Sequence, residues 1–199
     1  MKETLAMMLS FLKNPKEVGS ITPSSRYLTN EIIKNIDFKN SRNFIELGHG
    51  LGTFTKEILK KSDSNSKLVC FEVNKEFCSY LDKNHADSRL IVINAGAESI
   101  IMNLKKLHIR KADCVISGLP FRNFSAAKKK KILAQVKNCL NKNGSFVLFQ
   151  YTDTLEKMLG SYFNSIKRTM VPLNIPPCFV YACSNQQRKN GKEQAKKTQ

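Results

Sequence analysis

None of the six cysteines in this 199-residue chain stands in a CxxC pair, and the three histidines do not cluster with them. A zinc site or a disulfide framework is therefore not expected, and no other metal is implied. Cys70, Cys114 and Cys183 sit in apolar runs and read as small core residues. No run of about 18 apolar residues occurs, which argues against a membrane-spanning helix. The N-terminus lacks the apolar stretch and cleavage site of a signal peptide, so a reducing cytoplasm is the expected compartment. Acidic residues are scarce, 16 against 33 Lys and Arg, a formal net charge of +17. Such an excess favours an anionic partner, either nucleic acid or an anionic membrane surface.

What is present suits one soluble domain with a substantial core: 41% hydrophobic and 25% charged residues. Residues 2–13, "KETLAMMLSFLK", place Leu5, Met8, Leu9 and Leu12 at helical spacing before Pro15. That wide apolar face suits a lipid interface, and equally a cap on the domain core. A second helix is expected from "ITPSSR" to about Ile36. Strands are then expected at 43–47, 67–72, 89–93, 112–117 and 145–151, with a last one at 177–183. Helices are expected between them at 53–61, 74–83, 98–107, 125–140 and 154–163. Nearly all-apolar strands joined by crossover helices predict a mostly parallel sheet covered on both faces. The expected division is an N-terminal helical segment at 1–36, a ligand-binding α/β domain at 37–183, and a basic, disordered tail at 184–199.

The stretch "FIELGHGLGTF" puts Gly48, Gly50 and Gly52 after a strand and before a helix, where doubly wound sheets bind nucleotide-like ligands. By itself the loop is compatible with a bare tight turn. Glu72 ends the next strand, twenty positions after Gly52, where an acid can accept from both hydroxyls of a ribose. Loop and acid together favour an adenosine-containing cofactor. The GK[ST] of a P-loop is missing, which argues against a nucleoside triphosphate.

"IELGHGLGTFT" resembles the motif of class I S-adenosylmethionine-dependent methyltransferases. "FLKNPKEVGSITPSSRYLTNEI", "VISGLPFRN", "NGSFVLFQYT" and "VPLNIPPCFVYA" extend the likeness. In that order they resemble the bacterial phospholipid N-methyltransferases, relatives of the ribosomal RNA adenine dimethylases. The resemblance implies a Rossmann-like α/β fold with seven strands, the last antiparallel, and S-adenosyl-L-methionine as cofactor. It implies a cofactor site formed by Glu46, Gly48, Gly50, Gly52, Glu72, Val73, Gly96, Ala97 and Ser117. Gly96 departs from the family, which usually has an acid there to contact the adenine amino group. Asn94, Glu98 or backbone groups are the expected substitutes, and a degenerate site is the alternative.

The same resemblance implies a catalytic loop at "SGLPF": Ser117, Gly118, Leu119, Pro120 and Phe121, with Tyr27 nearby. RNA dimethylases usually carry Asn where this chain has Gly118, so the likeness tilts from RNA toward lipid. Phe121, Tyr27 and Tyr151 are candidate aromatic faces for a cation forming on nitrogen, with plain core packing the alternative for Phe121. Arg26 and Arg122 are candidate partners for a substrate phosphate, with a solvated surface charge the alternative. From Met102 to Lys142 there are eleven basic residues and one acid, with the lysine run at 128–131 at their centre. The expected activity is methylation of a phosphatidylethanolamine-type headgroup by a cytoplasmic, peripherally membrane-associated enzyme. The alternatives are RNA adenine N6-methylation and a non-catalytic basic module binding membrane or nucleic acid.

Overall fold

The computed structural model describes residues 25–185. The helix expected at 2–13 and all but the first residues of the expected tail lie outside them.

Seven strands form one sheet in the order β3-β2-β1-β4-β5-β7-β6. They are β1 (Asn43–Leu47), β2 (Lys67–Glu72), β3 (Leu90–Asn94), β4 (Ala112–Ser117), β5 (Leu140–Gln150), β6 (Ser165–Val171) and β7 (Cys178–Ser184). The first five pair in parallel, and β7 lies antiparallel between β5 and β6. The helices are α1 (Arg26–Lys34), α2 (Thr53–Lys61), α3 (Lys75–Asn84), α4 (Ile100–Lys106), α5 (Ala126–Cys139) and α6 (Glu156–Gly160). Short 3₁₀ turns at Ala97–Ser99 and Phe121–Asn123 follow β3 and β4.

Strand alternation divides the core in two. On one face Ile45, Leu47, Val69, Phe71 and Val115 pack with Ile100 of α4 and Ile132 and Val136 of α5. On the other Phe44, Leu68, Cys70 and Ile116 pack with Leu28 and Ile32 of α1 and Phe54 and Ile58 of α2. Three helices start on polar caps. Ser25 Oγ accepts from Leu28 N, Asn74 Oδ1 from Glu76 N and Phe77 N, and Ser125 Oγ from Lys128 N.

Three elements differ from the sequence expectations. Strand β6 had no apolar run to announce it. It is an edge strand whose Lys167 and Arg168 are exposed, as edges commonly are. Strand β5 starts five residues early, and its ladder with β4 shifts register between Ala112 and Cys114. The helix expected at 154–163 shrinks to the five residues of α6.

All six cysteines are buried free thiols. Burial pushes Cys114 and Cys139 up to about 12 and Cys178 up to about 11.

Glu46 is a fully buried carboxylate on β1. Its Oε2 accepts from Thr55 Oγ1 at 2.6 Å and lies 3.6 Å from Cys70 Sγ, while Oε1 has no partner. Burial pushes its pKa from the ordinary 4.5 to about 7, against the pull of those two hydrogen bonds. The folded chain therefore holds this proton at pH values where the unfolded chain has released it. The stabilisation is complete below about pH 4.5 and fades as the pH climbs through about 7. Denaturant titrations across that window should show the wild type losing about 1–3 kcal/mol relative to Glu46→Gln, whose side chain does not ionise.

Candidate active site

Four loops meet at the carboxyl edge of the sheet, where the strand order reverses between β1 and β4. The first is the glycine loop. Gly48, Gly50 and Gly52 all have positive φ, at 71°, 52° and 78°. At Gly50 a Cβ would meet nothing within 4 Å. The left-handed backbone and the open space together make a cradle that any side chain would begin to fill.

Glu72, at the end of β2, reaches back to this loop. Its Oε2 accepts from Gly50 N at 3.4 Å and its Oε1 from Asn74 N at 3.0 Å. The loop and the acid singled out in the sequence are thus in direct contact. Burial raises the acid's pKa, while those backbone donors oppose the rise. The side-chain amide of Asn94 donates to the carbonyls of Glu72 at 2.9 Å and Val73 at 3.0 Å. Through that nitrogen it is a strut between the ends of β2 and β3. Val73 beside it is 64% exposed, an apolar platform next to the acid.

After β3, the carboxylate of Glu98 lies over Gly96. Its Oε2 is 2.5 Å from where a Cβ on Gly96 would stand. An acid therefore occupies the space above Gly96, supplied from two residues later. Lys128 of α5 pairs with Glu98 at 3.4 Å and lies 4.4 Å above the Phe124 ring. Ala97, next to Gly96, is buried in the core.

The "SGLPF" loop is pinned from several sides. Gly118 N donates to Leu47 O at 2.9 Å. The Ser117 hydroxyl is fully buried and accepts from Leu119 N at 3.2 Å. Gln150 donates its amide to Leu119 O at 3.0 Å. A Cβ on Gly118 would stand 2.8 Å from the carbonyl oxygen of Gly48, a backbone atom. The glycine at 118 is thus set by the close approach of two loops.

Phe121 corrects an expectation. Its ring is fully buried, packed in the core and edge-on to Phe124 at 6.0 Å, so it offers no face to a substrate. A phenylalanine that opens a 3₁₀ turn directly after a buried strand has the core as its nearest apolar surroundings. Tyr27 is 47% exposed with the Arg26 guanidinium 5.7 Å from its ring centre. Tyr151 is half-buried against Phe149, and Arg122 is exposed on the β4 loop.

Two residues escaped the sequence reading. Gln150, buried at the end of β5, was hidden by its apolar neighbours, though a polar residue closing the run "FVLF" was the available signal. His49 is buried inside the glycine loop, with Nδ1 2.9 Å from Gly50 O and Nε2 without a partner. Burial lowers its pKa to about 4, so it is neutral at pH 7 and its Nδ1–H donates to that carbonyl. Among the described residues no three His, Cys, Asp or Glu are placed to hold a metal.

Comparisons with known proteins agree with this geometry. The model of the ribosomal RNA adenine dimethylase family matches residues 12–171. An ornithine lipid N-methyltransferase of Singulisphaera acidiphila is 26% identical over 92% of this chain and 96% of its own length. Ribosomal RNA small subunit methyltransferase A of Mycoplasma capricolum is 32% identical, over 55% of this chain and 41% of its own. Among solved structures, a precorrin-6y C5,15-methyltransferase from Geobacter metallireducens shares the fold at a TM-score of 0.65 and 15% identity. That match covers 81% of this chain and 89% of the other. The glycine cradle, the acid that touches it and the seven-stranded sheet thus have one explanation: the chain belongs to the ribosomal RNA adenine dimethylase family, and it is an S-adenosylmethionine-dependent methyltransferase of the class I, Rossmann-like fold.

Proposed function

We propose that this methyltransferase acts on the primary amine of a membrane lipid, with a phosphatidylethanolamine-type headgroup as the acceptor. The observation that carries this reading is Gly118. The resemblance places an asparagine there in the RNA adenine dimethylases, and here a Cβ would collide with the Gly48 carbonyl. The loop thus lacks the amide side chain that would grip adenine, and its backbone leaves no room for one. The lipid-modifying relative aligns over nearly its whole length, which supports the same choice. The family model and the ribosomal relatives support RNA as the second reading.

The cofactor supplies an electrophilic methyl group on a sulfonium. The chain must hold the acceptor nitrogen in line with it and keep water away. No acid, base or histidine lies between Ser117 and Phe121, so the loop contributes alignment and the acceptor arrives as the neutral amine. The rigidity comes from Gln150 on Leu119 O and Ser117 on Leu119 N. With Phe121 buried, Tyr27 and Tyr151 are the aromatic residues left to face the cation that forms. Arg26 and Arg122 are the candidate partners for a headgroup phosphate.

In this reading Glu72 accepts from the ribose hydroxyls, Gly50 admits the ligand, and Val73 supports the adenine. Glu98 stands in for the acid missing at Gly96 and accepts from the adenine amino group. Asn94 commits its Nδ2 to the Glu72 and Val73 carbonyls, which leaves Oδ1 as the one acceptor it could offer there.

Titration calorimetry of Glu72→Ala and Gly50→Val should show S-adenosylmethionine binding weakened about tenfold or more. S-adenosylhomocysteine should bind the wild type about tenfold better than its inosine counterpart, which lacks the exocyclic amine. In Glu98→Ala that preference should vanish, mostly through weaker binding of the adenine form. Purified enzyme given labelled cofactor, lipid extract and RNA together should place label in lipid amines, read by mass spectrometry. Label confined to RNA adenine would transfer the enzyme to the second reading.

A further inference from the structure

The loop joining β6 to β7 is built unlike the rest of the surface. Pro172, Leu173, Ile175, Pro176 and Pro177 are all exposed, Leu173 at 60% and Ile175 at 85%. Five apolar residues of six in water is a costly arrangement unless something covers them. Its one buried residue, Asn174, holds the loop in shape. Asn174 N donates to Val171 O at 3.3 Å, and its side-chain amide donates to Pro176 O at 2.7 Å. Its Oδ1 accepts from Ser25 N at 3.4 Å, which ties the loop to the start of α1.

Strand β6 runs parallel to β5, since both are antiparallel to β7. The loop therefore leaves the carboxyl edge of the sheet, the same edge as the glycine cradle and the "SGLPF" loop. Arg26 and Tyr27 follow the Ser25 tie directly. Arg122 and the first turn of α5, with Lys128, start from that edge as well. The acids near β6 are answered: Arg168 pairs with Glu156 at 2.5 Å and lies 3.9 Å from Asp153.

We propose that the 172–177 loop inserts into the interface of an anionic phospholipid bilayer and docks the crevice mouth on the surface that holds the substrate. This rests on the lipid reading of the same site. Two observations favour a bilayer over other occupants. The loop is poor in backbone donors that would lose water on insertion. Three of its six residues are prolines without an N–H, and Asn174 satisfies its own N–H inside the loop. The basic residues on the same edge supply the charge complementarity that an anionic headgroup layer asks for, within a chain of net charge +17. Leu173 and Ile175 then enter the acyl boundary while Arg26, Arg122 and Lys128 stay at headgroup level.

The test uses the full chain and phosphatidylcholine vesicles containing about one-third phosphatidylglycerol. The double variant Leu173→Ser, Ile175→Ser should sediment with these vesicles at least about tenfold more weakly than the wild type. Its melting temperature and its affinity for S-adenosylhomocysteine should stay unchanged, because both side chains already face solvent. It should also lose methylation of phosphatidylethanolamine included in these vesicles while retaining methylation of the same lipid dispersed in detergent. Unchanged vesicle binding would overturn the proposal, most directly if Leu9→Glu in the N-terminal segment released the protein instead. A marked fall in melting temperature would also overturn it, by showing that the loop is covered by this chain or by a second copy. If neither vesicles nor detergent yields methylated lipid while the variant still loses vesicle binding, the docking surface stands and the substrate reading falls.

Discussion

The amide of Gly118 donates to the carbonyl of Leu47, and the carbonyl of Gly48 lies so near that Gly118 has no space for a Cβ. On the other side, Gly48 N donates to Phe71 O. These contacts bind the exits of β1, β2 and β4 into one floor at the point where the sheet changes direction. The cradle at Gly50, the reach of Glu72 and the pinned carbonyl of Leu119 are arranged above it. The approach is possible because both partners lack side chains. The same economy leaves the start of the "SGLPF" loop held by backbone contacts rather than by functional side chains.

Much of this arrangement was legible in the residues. Nearly continuous apolar runs marked the central strands, because burial on both faces leaves little room for polar residues. The glycine triplet and Glu72 announced themselves by position, and the structure puts them in contact. What escaped was decided at longer range. Strand β6 has one neighbour and one wet edge, so its composition is that of a loop. Phe121 could be read as core or as a stacking aromatic from sequence alone. Only its packing against Phe124 and the core decides that the ring is buried. Glu98 was one of the expected substitutes for an acid at Gly96, but its place over that glycine follows from a 3₁₀ turn that no sequence period reveals.

The lysine run at 128–131 is largely a solvated helix face, with Lys128, Lys130 and Lys131 exposed. Lys128 also bridges Glu98 and the Phe124 ring, so a residue of the basic surface touches a residue of the candidate adenine pocket. Lys137, further along α5, pairs with Asn185 and lies 5.5 Å from the Phe163 ring. The helix is basic, yet two of its cations are engaged in holding the fold. Among the described residues no helix is long and apolar enough to cross a membrane.

The six buried thiols give the molecule a built-in reporter. Three strands and two helices each carry at least one of them, spread across both halves of the core. Burial disfavours the thiolate, the form that attacks disulfides and alkylating reagents. In the folded state their labelling is thus gated by opening of the surrounding structure rather than by reagent chemistry. Cys114 and Cys70 stand on the strands that support the cofactor crevice, and Cys178 and Cys183 on the antiparallel β7. The order in which thiols become modifiable would trace which part of the sheet loosens first, without any engineered label.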